Sequence, residues 1–413
     1  MSNVKKYTAL YKISISLIAD GEIINIPSSD IVSIMMVNNY DTMSFPIIRV
    51  RLYSDISIMQ KIVEVPNDVY IRGNLDGAIY QMSDEDKSPT IVLPIKNIPF
   101  HMKVYIENKN IPTSSMDQYI EGVKKNSDLN ENIKVPIELY CYNQSSIHNV
   151  RQKVPSIYKD ISILSVIEDF FRRSDITEYH IDPSINQKKF DQILLPNLDV
   201  SQALSFFDHM YGLYPKGAQF YGDIDKLYLC DSDVDNGTTP IPIYVDSYKN
   251  NTDMSGMKRT TNGFYMETMA GNVSIISETD VERTLNTQNI AAVDLHDMHV
   301  DTAQMSNLYD IKGIDNESTK IETPNIIHKT KNEFIVSTRI ARVDENVTRV
   351  DVSGVGFDIS KLKINTRYNL IFESAMRGIS MNKRYRATYV CHVLSNLDSN
   401  LFVAQTTMNL CNN

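Results

Sequence analysis

Five residues within eight positions, Asp294, His296, Asp297, His299 and Asp301 (DLHDMHVD), are the densest set of metal-ligand side chains in the chain. Histidines three apart can share a divalent ion. A zinc site needs three or four ligands, however, and no third ligand at a telling spacing and no H-E-x-x-H glutamate accompanies them. The segment reads as a solvated loop or an interface segment, and no metal is assigned to Asp294–His299. Asp231, Asp233 and Asp235 repeat the two-residue spacing of a calcium loop. The glycine there is Gly237, one place late, and the position of the bidentate glutamate is taken by Pro242, so a polar turn after a strand explains the run equally well.

Nucleophilic chemistry fares no better. Asp223 and Asp225 in Tyr221-Gly222-Asp223-Ile224-Asp225 lie between two strand patterns, where Asp and Gly are ordinary turn formers. Glu168 and Asp169 fall on the polar face of a helix. Gly354-Val355-Gly356 lacks the third glycine and the following helix of a dinucleotide loop, which leaves a hairpin or bulge. His101, His180, His328 and His392 stand alone, and neither a G-x-S-x-G elbow nor a phosphate-binding loop occurs. The sequence therefore presents no catalytic, cofactor-binding or metal site residues, and the expectation is a non-enzyme without a cofactor.

The elements that would position any site are mostly strands. At 413 residues the chain is too long for one simple core, and its 42% hydrophobic and 22% charged content suits folded domains. Recurring Ile, Val, Tyr and Thr favour pleated surfaces. A net charge of −10 argues against gripping nucleic-acid phosphates, although a basic patch could hide within that average. The four cysteines, Cys141, Cys230, Cys391 and Cys411, are far apart and read as buried reduced thiols. Lys12, Ser14 and Ser16 interrupt the first apolar run, so no secretory signal is expected, and no window approaches the about eighteen apolar residues of a membrane helix. A soluble protein kept in a reducing cytoplasm, without membrane insertion, is the expectation.

Tyr11, Ile13, Ile15 and Leu17 alternate with polar residues, and Asp20-Gly21 supplies a two-residue turn into Glu22–Ile26. Further strands are expected at Ile31–Val37, Phe45–Tyr53 with Arg49 and Arg51 on its polar face, Val69–Ile71 and Ile79–Met82 about a turn at Asp76-Gly77, and Pro99–Glu107. A short helix over Ser54–Val63 with Asp55 as cap, and a surface helix or connection over Pro112–Asn132, interrupt them. Ile133–Tyr142 is again extended. Ile163, Val166, Ile167, Phe170 and Phe171 make one helical stripe, capped by Asp160 or Ser162. Val200, Ala203, Leu204, Phe207 and Tyr211 make a second, capped by Asp199, stopped by Gly212 and kept from resuming by Pro215. Strands follow at Lys226–Leu229, Ile241–Val245, and as a pair at Gly263–Met269 and Asn272–Ser277. Thr279–Glu322 is polar and weakly periodic, and the last strands are Glu333–Val343, Val347–Val352, Arg367–Glu373, Tyr385–Leu394 and Leu401–Leu410.

Phe190–Pro196, Ser201–Leu204, Tyr211–Tyr214 and Phe220–Leu229 run in the order extended segment with proline, helix, Tyr-Gly, strand. That order resembles the middle domain of phage tail hub proteins. The first hairpin with Phe45–Ile48 resembles their opening tail-tube-like barrel, and Tyr368–Phe372 with Tyr385–Ala387 the second barrel. The resemblance implies a mainly β fold with an α+β middle, two tail-tube-like β-barrel domains joined by a small mixed α/β region. The expected division is an N-terminal barrel at 1–110, a mixed middle at 111–262, a connecting region at 263–330 and a C-terminal barrel at 331–413. It further implies a structural component of a contractile-tail baseplate: a homotrimer, related to the hub part of type VI secretion spike proteins, adapting the hexameric tail tube to a trimeric central spike and touching other baseplate proteins. Double-stranded DNA would pass through without specific binding during genome ejection. The chain lacks a spike β-helix and a lysozyme-like segment, so a separate spike is expected, as is assembly in the host cytoplasm into the virion tail. Another tail or baseplate protein, or a β-rich enzyme or carbohydrate binder, are the alternatives, the last requiring a pocket of converging polar groups.

Overall fold

The first strand sets the plan. Tyr11, Ile13, Ile15 and Leu17 are buried while Lys12 and Ser14 are exposed. Asp20 and Gly21 both take positive φ, 51° and 75°, and fold the chain straight back. A computed structural model describes residues 6–40, 46–55, 58, 62, 69–82, 89–105, 134–142, 155–174, 176, 178–198, 200–214, 217–224, 226–231, 239–246, 256–277, 290–291, 325–326, 348–373, 384–398 and 400–412.

The N-terminal part holds β1 (Lys6–Ala19), β2 (Glu22–Ile26), β3 (Ile31–Asn39), β4 (Ile47–Asp55), β5 (Val69–Met82), β6 (Thr90–Pro94), β7 (Ile98–Tyr105) and β8 (Lys134–Tyr142). A mixed region follows with β9 (Ser156–Ser162), α1 (Ile163–Arg173), β10 (Tyr179–Ile181), β11 (Lys189–Leu195), α2 (Val200–Tyr211), β12 (Ala218–Gly222) and β13 (Leu227–Asp231). The remainder is β14 (Ile241–Asp246), β15 (Gly256–Thr260), β16 (Gly263–Met269), β17 (Val273–Ser277), the two-residue β18 (Ile290–Ala291) and β19 (Asn325–Ile326), then β20 (Thr348–Val355), β21 (Arg367–Glu373), β22 (Arg384–Asp398) and β23 (Leu401–Asn412).

Hydrogen bonding runs as a closed path of eleven strands: β1, β15, β16, β14, β21, β22, β3, β4, β8, β7, β5 and back to β1. β23 pairs with both β22 and β1 and so divides that path into two rings. One ring is β1, β5, β7, β8, β4, β3, β22 and β23. The other is β1, β15, β16, β14, β21, β22 and β23. The fold is thus mainly β, two tube-like barrels sharing a wall, with the mixed α/β region attached. Closure removes edges that would otherwise leave backbone groups unpaired.

The strands of the first hundred residues do not close by themselves. β8, beyond residue 110, joins β4 to β7, and β22 with β23 joins β3 to β1. The expected turn at Asp76-Gly77 is absent, and β5 runs through it as a single 14-residue strand. Gly77 is there because Tyr11 lies across it: a β-carbon would stand 2.6 Å from Tyr11 Cε1. Gly73 makes the same room for the Phe100 ring. β16 and β17 are strands as expected but do not pair with each other; β16 lies between β14 and β15, and β17 pairs with β20. Asp55 ends β4, and Ile58 and Ile62, within the expected Ser54–Val63 helix, are helical. Most of Ser54–Val63, and Pro112–Asn132, Asp199, Pro215, nearly all of Thr279–Glu322, and Glu333–Val343 lie outside the described residues.

Both helical stripes face inward. Ser162 caps α1, its hydroxyl accepting from the Ser165 amide at 3.3 Å, and Ile163, Val166, Ile167, Phe170 and Phe171 are all buried. Gly212, at φ 68°, ends α2. The helices share one core with Ile193, Leu195, Phe220 and Leu229.

Candidate assembly interface

The mixed region is joined to the barrels by a hairpin that belongs to two cores. Along β12 and β13, Ala218, Phe220, Leu227 and Leu229 pack with the helices, while Tyr221 and Cys230 pack into the barrel core. Period-2 alternation with both faces apolar makes this possible, since each face of a strand can serve a different layer. Tyr221 stacks on Tyr228 with centroids 5.0 Å apart and lies 5.1 Å from the Tyr40 ring.

A polar seam surrounds this hairpin. The Gln219 side-chain amide donates to the Tyr40 carbonyl, Asn365 Nδ2 donates to the Tyr221 hydroxyl at 3.2 Å, and Arg386 donates to the Tyr40 hydroxyl at 3.2 Å. Asp223, at the hairpin tip, accepts from Asn38 Nδ2 at 3.1 Å and from its neighbour Ile224 N at 2.8 Å, and it pairs with Lys363 Nζ at 3.3 Å. The mixed region, β3 and the 359–365 segment are therefore fastened at one carboxylate. Behind it lies a cavity of about 270 Å³ lined by Met36, Asn38, Ile98, Leu362 and His392 among others. Burial pushes the His392 imidazole down to about 4, against the bond to the Leu362 carbonyl and the charge of Asp223. Its two ring nitrogens lie 2.9 Å from Thr406 Oγ1 and 3.4 Å from the Leu362 oxygen. Burial likewise raises the Cys230 thiol to about 12.

The other side chains singled out from sequence are engaged in structure. Asp169 accepts from Tyr158 at 2.9 Å and pairs with Arg172 and Arg173 at 2.7 and 2.8 Å. Burial raises its carboxyl, but those hydrogen bonds and charges outweigh it and hold the group below the ordinary carboxylate value. Glu168 and Asp169 line an open groove with Tyr158 and Tyr179. Asp231 ends β13 and is buried, whereas Asp233, Asp235, Asp225, His328 and the Asp294–Asp301 cluster lie outside the described residues. The His101 ring stands 5.8 Å from Tyr70, and the His180 ring 5.8 Å from Tyr228. Among the described residues no group of three or more His, Cys, Asp or Glu is placed to hold a metal ion, and no helix is long and apolar enough to cross a membrane.

Gly354-Val355-Gly356 turns out to be a joint of the shared wall. Gly356 takes φ 75°, its carbonyl accepts from Ala9 N at 2.9 Å and its amide donates to Ala404 O at 2.8 Å, so it bridges β1 and β23. Gly354 leaves room for the Phe357 ring. On β4, Arg49 and Arg51 are solvent-facing and both stand 3.2 Å from Glu138, with Arg49 also 4.7 Å above the Tyr140 ring. Tyr40, Gln219 and Asn365 carry no local sequence signal, and Arg386 entered only within the Tyr385–Ala387 strand pattern. Only the doubly apolar pattern of Ala218–Cys230 hinted at a two-sided hairpin.

Comparison with known proteins gives these features a context. The model of one family, described as bacteriophage PBS1 gene 109 protein, matches residues 1–408. The chain belongs to that family. No curated protein matches this family member. Solved structures similar to it include a tail protein from Neisseria meningitidis MC58, at 11% identity over 98% of this chain and 97% of that one with a TM-score of 0.49. The 43 kDa tail protein of prophage MuSo2 from Shewanella oneidensis is similar at 8% identity over 96% of each chain, with a TM-score of 0.47. Prophage tail protein gp18 from Listeria monocytogenes EGD-e follows at 10% identity over 97% and 94%, with a TM-score of 0.43.

Proposed function

We propose that this family member is the central hub of a contractile phage tail baseplate, a homotrimer between the hexameric tail tube and a separate trimeric spike. The observation that carries the reading is the divided strand path, in which β23 splits one closed sheet into two barrels. Three copies would then offer six barrels, the number a six-fold tube end requires, while keeping the three-fold symmetry of a spike. Membership in a bacteriophage protein family supports a place in the virion, with assembly in the host cytoplasm.

In this reading the first barrel comprises the 1–110 strands with 134–142, the second draws on 241–269 and 367–373, and β1 with 384–412 is the wall common to both. The α/β unit at 155–231 extends sideways toward other baseplate proteins. The role is structural, not enzymatic. The net charge of −10 supports a bore that lets double-stranded DNA pass without holding it, since carboxylates facing phosphates release no counterions. Electron microscopy of the hub assembled with its phage's tube protein tests the reading. Three copies arranged as six barrels against the tube end are expected, and six copies or an off-axis position would overturn it.

A further inference from the structure

The cavity behind Asp223 lies at the end of the first barrel where β3 finishes and β7 begins. Cross-strand neighbours line one wall, His392 standing opposite Met36 and Val390 opposite Asn38. Ile98 contributes from β7, and the turn Ile359–Lys361 with Leu362 covers the space. That cover is fastened at several points. Ile359 N donates to the Tyr11 hydroxyl at 2.9 Å, Lys363 N donates to the Tyr368 hydroxyl at 3.0 Å, and the latter donates to Lys361 O at 3.1 Å. Asp358 Oδ1 accepts from Ser360 N at 3.2 Å. A turn so held does not settle inward. About 270 Å³, the room of roughly nine waters, therefore persists in an interior that otherwise packs densely.

Its lining is divided by polarity. Met36, Ile98, Leu362 and Val390 make an apolar body, and the charges stand at the rim. There the Asp223 carboxylate is already engaged by Asn38 Nδ2, Ile224 N and Lys363 Nζ. Lys361, next to them, pairs with Asp358 at 3.4 Å. The His392 ring, held between Thr406 and the Leu362 carbonyl, is neutral and adds no charge. Lys96 is left over. It lines the cavity, is exposed, and makes no ion pair among the described residues. An apolar body with one unmatched cation at its mouth suits an amphipathic monoanion, since each part of such a ligand meets a surface of its own kind.

We propose that this barrel mouth binds a short aliphatic carboxylate of about six to eight carbons, its tail against Met36, Ile98, Leu362 and Val390 and its carboxylate at Lys96. The site belongs to a single chain, so it stands or falls separately from the trimeric reading. Saturation-transfer NMR on the full chain, with hexanoate and hexan-1-ol as probes, tests it. Hexanoate should show saturable transfer, strongest at its methyl end, and should bind more tightly than the alcohol. Lys96→Ala changes an exposed side chain and should fold like the wild type. It should weaken hexanoate about three- to five-fold, the range of an exposed ion pair, and leave the alcohol unchanged. Ile98→Phe should fill the space and remove binding of both probes. Should that variant misfold, the Lys96→Ala comparison still decides. No saturable transfer, equal affinity for the alcohol, or undiminished hexanoate binding in either folded variant overturns the proposal.

Discussion

Tyr11 on the first strand donates its hydroxyl to the carbonyl of Phe357 at 3.1 Å, 346 positions later in the chain. The same oxygen accepts from Ile359 N at 2.9 Å, in a setting where Tyr11 is fully buried. One side chain thus closes both polar groups of the segment that crosses from β20 into the interior. Tyr11→Phe removes both bonds and leaves a buried amide and a buried carbonyl unsatisfied, which costs about 1–3 kcal/mol each when uncompensated. Urea unfolding should show a lower midpoint with an unchanged slope, their product giving a stability loss of that order, and an unchanged midpoint would mean the contact contributes nothing.

Gly356 is the backbone counterpart. Its φ is positive, and a β-carbon added there would stand 2.5 Å from Thr8 Cγ2, so both strain and space exclude a side chain. Gly356→Ala should destabilise by about 1–3 kcal/mol through strain and overpacking. Gly271→Ala, where a β-carbon meets nothing within 4 Å, is the control expected to melt like the wild type.

Phe207 is buried in the core of the mixed region beside Ala203 and Leu204. Phe207→Asp places an unpaired carboxylate there, at a cost of several kcal/mol that is comparable with the stability of a domain. Limited proteolysis should then cut within 155–231 at temperatures where the wild type resists. A variant as resistant as the wild type would show that this face is not held closed.

His392 sets a pH dependence. Its folded value of about 4 lies below the ordinary 6.5, so the unfolded chain binds the proton first. The neutral ring's contribution is fully present above about pH 6.5 and is lost as pH falls through 4. The shift corresponds to a loss on the order of 3 kcal/mol. His392→Gln keeps an amide near Thr406 and Leu362 but cannot titrate. Its stability between pH 7 and pH 4 should fall less than the wild type's, and parallel curves would contradict the assignment.

What could be read from sequence was local. The alternation in β1, the positive-φ turn at Asp20-Gly21 and the stripe from Ile163 to Phe171 each follow from neighbours a few residues apart. Asp76-Gly77 misled because a glycine kept small for Tyr11 looks the same as a turn glycine. The shared wall was invisible for a related reason: Leu10 meets Val403 and Ala9 meets Gly356 across nearly the whole chain, and pairings of that range leave no periodic trace. Asp223 was read as a turn former, which it is, but its bonds to Asn38 and Lys363 depend on segments far away in sequence.

The acidic balance bears on the proposed passage of DNA through the hub. Arg49 and Arg51, the arginines best placed to contradict it, both face Glu138, which reduces their net field. Fluorescence titration with double-stranded DNA should show no saturable binding at moderate salt. Micromolar affinity falling steeply with salt would require a basic lumen instead.

Native mass spectrometry of the purified chain tests the central claim most directly. A principal species at three times the chain mass, persisting on dilution into the nanomolar range, is expected. A chain that flies as a monomer, or closes as a hexamer, would contradict a hub built from three copies of two barrels.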